Sequence, residues 1–250
     1  MSLTRRLLLA AGLALATLSP ALADETKVAV AANFTEAARE IAAAFKARTG
    51  HEAVLSFGAS GQFYAQITQG APFQILLSAD EERPRKLVAD GLAVPESRFT
   101  YAVGKLVLWS KADGAVTGAD TLKAARFAKL SIANPSAAPY GAAAIETLKA
   151  LKLYEALEPR IVQGNSIAQA FQFVETGNAE VGFVAYSQVI KAAGSRWVVP
   201  QDLYTPIRQD AVLLKTGADS VAAKAFLVFL KGPEARAIIE SYGYAAGAAS

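Results

Sequence analysis

Lys27-Val28-Ala29-Val30-Ala31-Ala32-Asn33-Phe34-Thr35-Glu36-Ala37-Ala38 holds the change of period on which the fold turns. Residues 27–32 are an apolar run without strict alternation, the pattern of a strand covered on both faces. From Phe34 the period becomes helical. Phe34, Ala37 and Ala38 begin a face that Ile41 and Phe45 continue. Asn33 stands at the change and reads as a helix N-cap. Glu36, three residues on, completes a pattern like a capping box. In that capping role aspartate would serve as well as asparagine.

Working outward, the same alternation recurs. Further strands are expected at 52–57, 74–78, 105–110, 129–133, 180–186, 196–199 and 207–215. Between them, Ile145, Leu148 and Leu151 share one helical face, and Ala168, Phe171 and Val174 share another. Strands alternating with helices predict an α/β fold with mostly parallel sheets. No repeat, low-complexity stretch or Pro/Gly-rich linker divides the chain. Two lobes would therefore share crossing strands, near 100–104 and 203–207. Helices at 219–231 and 233–242 would return to the first lobe. The expected division is 24–102 with 207–250 as one lobe and 103–206 as the other.

The 250 residues include 25 Lys and Arg, 22 Asp and Glu, one histidine and no cysteine. Arg5 and Arg6 precede a charge-free apolar run at 7–18, and Ala21-Leu22-Ala23 offers small residues for cleavage. This is the pattern of a secretory signal peptide ending at Ala23. The run is too short to span about 30 Å of hydrocarbon. Both the general and the twin-arginine export routes suit it. Removing 1–23 takes away two arginines and no acid, so the formal charge falls from +3 to +1. The remainder has no Lys/Arg cluster, which argues against nucleic acid or an anionic membrane as partner. Without cysteine there is no disulfide and no thiolate metal site. With His51 alone, a zinc site is excluded.

Three further junctions resemble the first: Phe57-Gly58-Ala59-Ser60-Gly61-Gln62; Pro135-Ser136-Ala137-Ala138-Pro139-Tyr140-Gly141, entering a helix at 142–151; and Gly164-Asn165-Ser166-Ile167, entering one at 168–174. Each offers unpaired N–H donors and the positive end of a helix dipole, and none contains Lys or Arg. Such ends bind anions without formal positive charge. Any one of them is also explained as a cap.

From Val28 to Gly243 the chain resembles the periplasmic molybdate-binding proteins of ABC transporters. The matching stretches are Val30 to Ala37, Ser56-Phe57-Gly58-Ala59-Ser60, Gln69-Gly70-Ala71-Pro72 running into Leu77-Ser78-Ala79-Asp80, and Lys231-Gly232-Pro233-Glu234-Ala235 with Tyr242-Gly243-Tyr244. The resemblance implies a two-lobed class II binding-protein fold with molybdate or tungstate in the cleft. It also implies an inner-membrane ABC permease as partner, a monomer in the periplasm, no cofactor, no direct cation site and no catalysis. Residue by residue, it implies Asn33 as a first-loop ligand and Ser60 as donor of both hydroxyl and N–H. Tyr140 and Ile167 are implied as backbone donors from the second lobe. Two departures stand out. Where many members carry a ligand tyrosine after Gly-Phe-Val, this chain has Ala185, with Tyr186 one place later. Gln74 replaces the aspartate that follows Gly-Ala-Pro.

Other readings compete. Ser60 in Gly58-Ala59-Ser60-Gly61-Gln62 suggests an exported serine hydrolase, but the last glycine of a nucleophile elbow is missing and only His51 could be the base. Tyr186, Tyr242 and Tyr244 suggest ferric binding, and another oxyanion could replace molybdate. Asp80, Glu81 and Glu82 read as the acidic start of a helix.

The leader yields the first prediction. Intact-mass measurement of the exported protein should show a chain beginning at Asp24. Soluble protein that keeps residues 1–23 would refute the cleavage point.

Overall fold

The computed structural model describes residues 24–247. The leader at 1–23 and its cleavage point lie outside the described residues. The chain opens with β1 (Glu25–Ala31), α1 (Thr35–Thr49), β2 (Glu52–Gly58), α2 (Ser60–Thr68), β3 (Ile75–Leu77), α3 (Glu82–Ala89) and β4 (Phe99–Gly104). It continues through β5 (Leu106–Ser110), α4 (Ala119–Ala124), β6 (Leu130–Ala133), α5 (Pro139–Ala150), α6 (Tyr154–Leu157), β7 (Ile161–Gly164), α7 (Ile167–Glu175), β8 (Val181–Ala185), α8 (Tyr186–Val189) and β9 (Ser195–Val198). It closes with β10 (Ile207–Leu213), α9 (Val221–Lys231), α10 (Pro233–Ser241) and β11 (Ala245–Ala246).

Two sheets result, one per lobe. The first has the order β11-β4-β10-β3-β1-β2 and the second β7-β6-β8-β5-β9. The chain passes from the first to the second through Lys105 and returns between β9 and β10. Both sheets are mixed, where mostly parallel ones were expected. Of nine strand pairings only four are parallel: β1 with β2 and β3, and β6 with β7 and β8. The double crossing is the reason. Strands β1 to β4 run toward the cleft, so a chain leaving at Gly104 must run away from it in β5. The same holds for β10 on the return.

Each lobe buries its own core. Phe34, Ile41, Phe45 and Phe226 pack on the first sheet, with α9 and α10 returning to it. Leu106, Leu108, Leu130, Ile132 and Phe183 fill the second. On the opposite face of that second sheet, Trp109 stacks on Phe171 with ring centroids 5.1 Å apart. β4 falls at the crossing expected near 100–104, whereas β7 and β11 had no counterpart among the expected strands. β7 and β11 are four and two residues long, too short for a periodicity reading.

Asn33 does not cap α1. The cap position is Phe34 and no side chain bonds the first turn there. Residues Ala32–Phe34 instead form a 3-10 turn, and the Asn33 carboxamide turns inward, 4% exposed. Ser166 does cap α7, its Oγ accepting the Gln169 N–H at 3.3 Å. Asp80 accepts the Arg83 N–H at 2.8 Å at the start of α3, as its acidic run suggested.

Candidate functional site

The carboxyl ends of β1, β2, β3, β6 and β7 all face the cleft, and in α/β sheets that edge is where ligands bind. The loops leaving these strands close around one small cavity. Asn33, Ser60, Tyr140 and Ile167 all line it, together with Ala59, Ala79 and Pro139 among others. The structure thus brings all four candidates together, two from each lobe. No lysine or arginine is in the lining.

The donors follow from helix geometry. Ser60 and Ile167 are the first residues of α2 and α7, and Tyr140 is the second of α5. First-turn N–H groups have no intrahelical acceptor. Those of Ser60, Tyr140 and Ile167 find no acceptor among the described residues. Three dipole ends therefore point at one cavity. Ser60 adds a hydroxyl. Its Oγ accepts the Ala79 N–H at 2.9 Å, which leaves its one hydrogen for an acceptor in the cavity.

Asn33 differs from its expected role. Its Nδ2 donates to Gln209 Oε1 at 2.8 Å and to Tyr244 Oη at 3.0 Å, so both amide hydrogens are used. What it has left to offer an anion is its backbone N–H. Its backbone oxygen accepts from Tyr244 Oη at 2.7 Å and from Ser187 Oγ of the second lobe at 2.9 Å.

Other bonds cross the cleft. The Gly61 N–H donates to Ala137 O at 2.9 Å, and Arg83 donates to Ser136 O at 2.8 Å. A Cβ at residue 61 would lie 2.9 Å from the Ala137 Cα, so this approach requires glycine. Arg83 is held by an ion pair with Asp80, the aspartate of Ser78-Ala79-Asp80. A wider cleft adjoins the cavity, sharing Ala79 and Pro139 with it. Its cations are largely paired, Lys86 with Glu82 and Arg208 with Glu81.

Burial raises the phenols of Tyr101, Tyr140 and Tyr244 above the usual tyrosine range. They keep their protons wherever the unfolded chain does, below about pH 10. Above that the unfolded chain loses protons the folded one retains, and stability falls.

The remaining candidates lie elsewhere. Neither Ala185 nor Tyr186 lines the cavity. The Tyr186 ring lies where a Cβ at Gly243 would meet it at 2.5 Å. Tyr242 bonds Glu40 on the exterior at 3.0 Å, so Tyr186, Tyr242 and Tyr244 do not converge. His51 precedes β2 while Ser60 follows it, roughly 20 Å away by strand rise. They form no nucleophile–base pair. Gln74 accepts the Lys27 N–H at 3.3 Å at the far end of the first sheet. Gln209, Tyr101 and Ser187 were missed, and Tyr244 was considered only as an iron ligand. The signal for Gln209 was the polar run Arg208-Gln209-Asp210 in a strand apolar at its other positions, and Gln209 and Asp210 are fully buried.

Comparison with known proteins gives a consistent picture. Residues 26–245 match the model for bacterial extracellular solute-binding proteins. The chain is 60% identical over 239 residues to the molybdate-binding protein ModA of Rhodobacter capsulatus, covering 95% of this chain and 93% of that one. It is 56% identical over 229 residues to ModA of Azotobacter vinelandii, covering 90% and 91%. Among solved structures, the periplasmic molybdate-binding protein of Azotobacter vinelandii superposes with a TM-score of 0.86. That alignment is 44% identical and covers 88% of this chain and 98% of that one.

The Asn33 contacts reverse the expectation for aspartate at this position. Asn33→Asp sets a carboxylate against Gln209 Oε1, an acceptor, and breaks a buried network. It should lower the melting temperature without ligand by a few degrees, for a loss of about 1–3 kcal/mol. Thermal melting checks this, and an unchanged or raised value would return Asn33 to a capping role.

Proposed function

From the premise that this chain belongs to the bacterial extracellular solute-binding proteins, we propose that it captures molybdate and delivers it to an ABC importer. The observation that carries this reading is the convergence of three unpaired helix N-termini and the Ser60 hydroxyl on one uncharged cavity. A tetrahedral dianion has four oxygens to accept such donors. Asn33 and Ser60 serve from one lobe, Tyr140 and Ile167 from the other. The moving bodies are the two lobes, hinged where the chain crosses at Lys105 and again between β9 and β10.

Closing the lobes excludes water, which strengthens each contact between donor and anion. The anion favours the closed state because only that state presents both donor sets. Cavity size supplies selectivity, since molybdate is a larger tetrahedron than sulfate of the same charge. Tungstate, alike in size and charge, is accepted too. The protein performs no chemistry on its cargo and acts as a monomer in the periplasm. No helix among the described residues is long and apolar enough to cross a membrane. Delivery falls to the membrane permease of the importer.

Two measurements test this. In a thermal-shift panel, molybdate and tungstate at a hundred times Kd should add about 2.7 kcal/mol and raise the melting temperature by a few degrees. Sulfate or phosphate at equal concentration should do far less, and an equal shift with sulfate would sink the assignment.

Calorimetry on Ser60→Ala should show affinity lower by roughly ten- to a hundred-fold, the worth of a hydrogen bond to a charged group. The fold should survive, at some cost from the unpaired Ala79 N–H. Unchanged affinity would remove Ser60 from the site.

A further inference from the structure

Gln209 reaches the anion-facing elements of both lobes without lining the cavity between them. It sits on β10, the strand by which the chain re-enters the first lobe, and its side chain is fully buried. Its Oε1 accepts from Asn33 Nδ2 at 2.8 Å and from Tyr101 Oη at 3.2 Å. Its Nε2 donates to Tyr140 Oη at 3.3 Å. Asn33 belongs to the first loop of one lobe, and Tyr140 to the start of α5 in the other. One carboxamide thus touches both.

The neighbourhood is shaped for this contact. Gly104, the last residue of β4, stands where the chain crosses to the second lobe. A Cβ there would lie 2.0 Å from Tyr140 Oη and 2.8 Å from Gln209 Nε2. Only glycine admits the phenol to the carboxamide. Gln209 is also chemically suited, because a carboxamide accepts at one end and donates at the other. Methionine of similar shape does neither, and glutamate lacks the donor.

We propose that Gln209 is a positioning residue for anion capture, linking Asn33 to Tyr140 beside the crossing strands so that the backbone donors of both lobes are held in register. The inference rests on the anion-capture reading. Losing the link leaves the donors in place but lets the two loops shift independently. The bound state is then held less well, while the encounter is unchanged. The effect falls on release, as most affinity differences between related complexes do.

The test is a double-mutant cycle with sodium molybdate as ligand, reading Kd by calorimetry and release rate by rapid dilution. Gln209→Met should raise Kd about tenfold, mainly through faster release. Tyr140→Phe removes only the phenol oxygen and keeps the backbone N–H. It should raise Kd several-fold and, because Gln209 Nε2 loses its acceptor, lower the melting temperature of the ligand-free protein by no more than a few degrees. Tyr140→Phe added to Gln209→Met should cause no further loss.

Tight binding by Gln209→Met would overturn the inference, as would losses that multiply in the double variant. Should Gln209→Met fail to fold, Tyr140→Phe alone decides, and wild-type affinity there overturns it. Failure of the wild type to bind molybdate would instead sink the anion-capture reading, and this inference with it.

Discussion

Three helix N-termini whose positive ends meet at one uncharged cavity are the constraint on which the rest of the chain depends, and a dianion held without a counter-cation, as proposed, needs that arrangement. A single helix end supplies two or three N–H groups in one direction. Surrounding a tetrahedron takes ends from opposite sides. Helices α2, α5 and α7 meet this need because each follows a strand whose carboxyl end faces the cleft. Two sheets facing each other across a cleft provide both directions. The absence of cations from the lining is thus as structural as the helices. A lysine there would hold the charge with fewer dipoles and would hold other anions too.

Much of this was legible in the sequence, for an identifiable reason. The four junctions are marked by small residues and by the change from strand to helix period, which are local signals. Asn33, Ser60, Tyr140 and Ile167 could be read from them together with the family resemblance, and they line one cavity. What was not legible is non-local. The Asn33 side chain was read as a cap because Asn before a helix usually caps. Its actual partners, Gln209 and Tyr244, lie 176 and 211 residues away. The mixed sheets were missed although the crossings were foreseen. Two crossings at the cleft compel β5 and β10 to run backwards, a geometric consequence that no window of residues displays.

The buried polar network explains why the lining can stay neutral without becoming loose. Tyr101, Tyr140, Tyr244, Asn33 and Gln209 share hydrogen bonds in a region almost without water contact. Burial keeps the phenols protonated, so each keeps its donor hydrogen across ordinary pH. Networks of this kind favour one arrangement strongly, because any unpaired member is costly in a low dielectric. Asp210 next door is buried as well. Arg98 and Thr100 bond its carboxylate, at 2.5 and 2.7 Å.

The position of β10 bears on how the molecule comes to be made. It lies between β3 and β4, so the first sheet stays split until residues 207–213 are present. The second lobe has no such dependence, since all its strands fall between Leu106 and Val198. A chain that emerges amino end first, as every chain does from the ribosome, can therefore complete the strands of its second lobe before those of its first. Meanwhile β3 and β4 wait with unpaired edges, and such edges recruit foreign strands. Long-range pairings of this kind also fold slowly. The strand that bears Gln209 is thus the one that joins the two halves of the first sheet, and only the short edge strand β11 is added to that sheet after it.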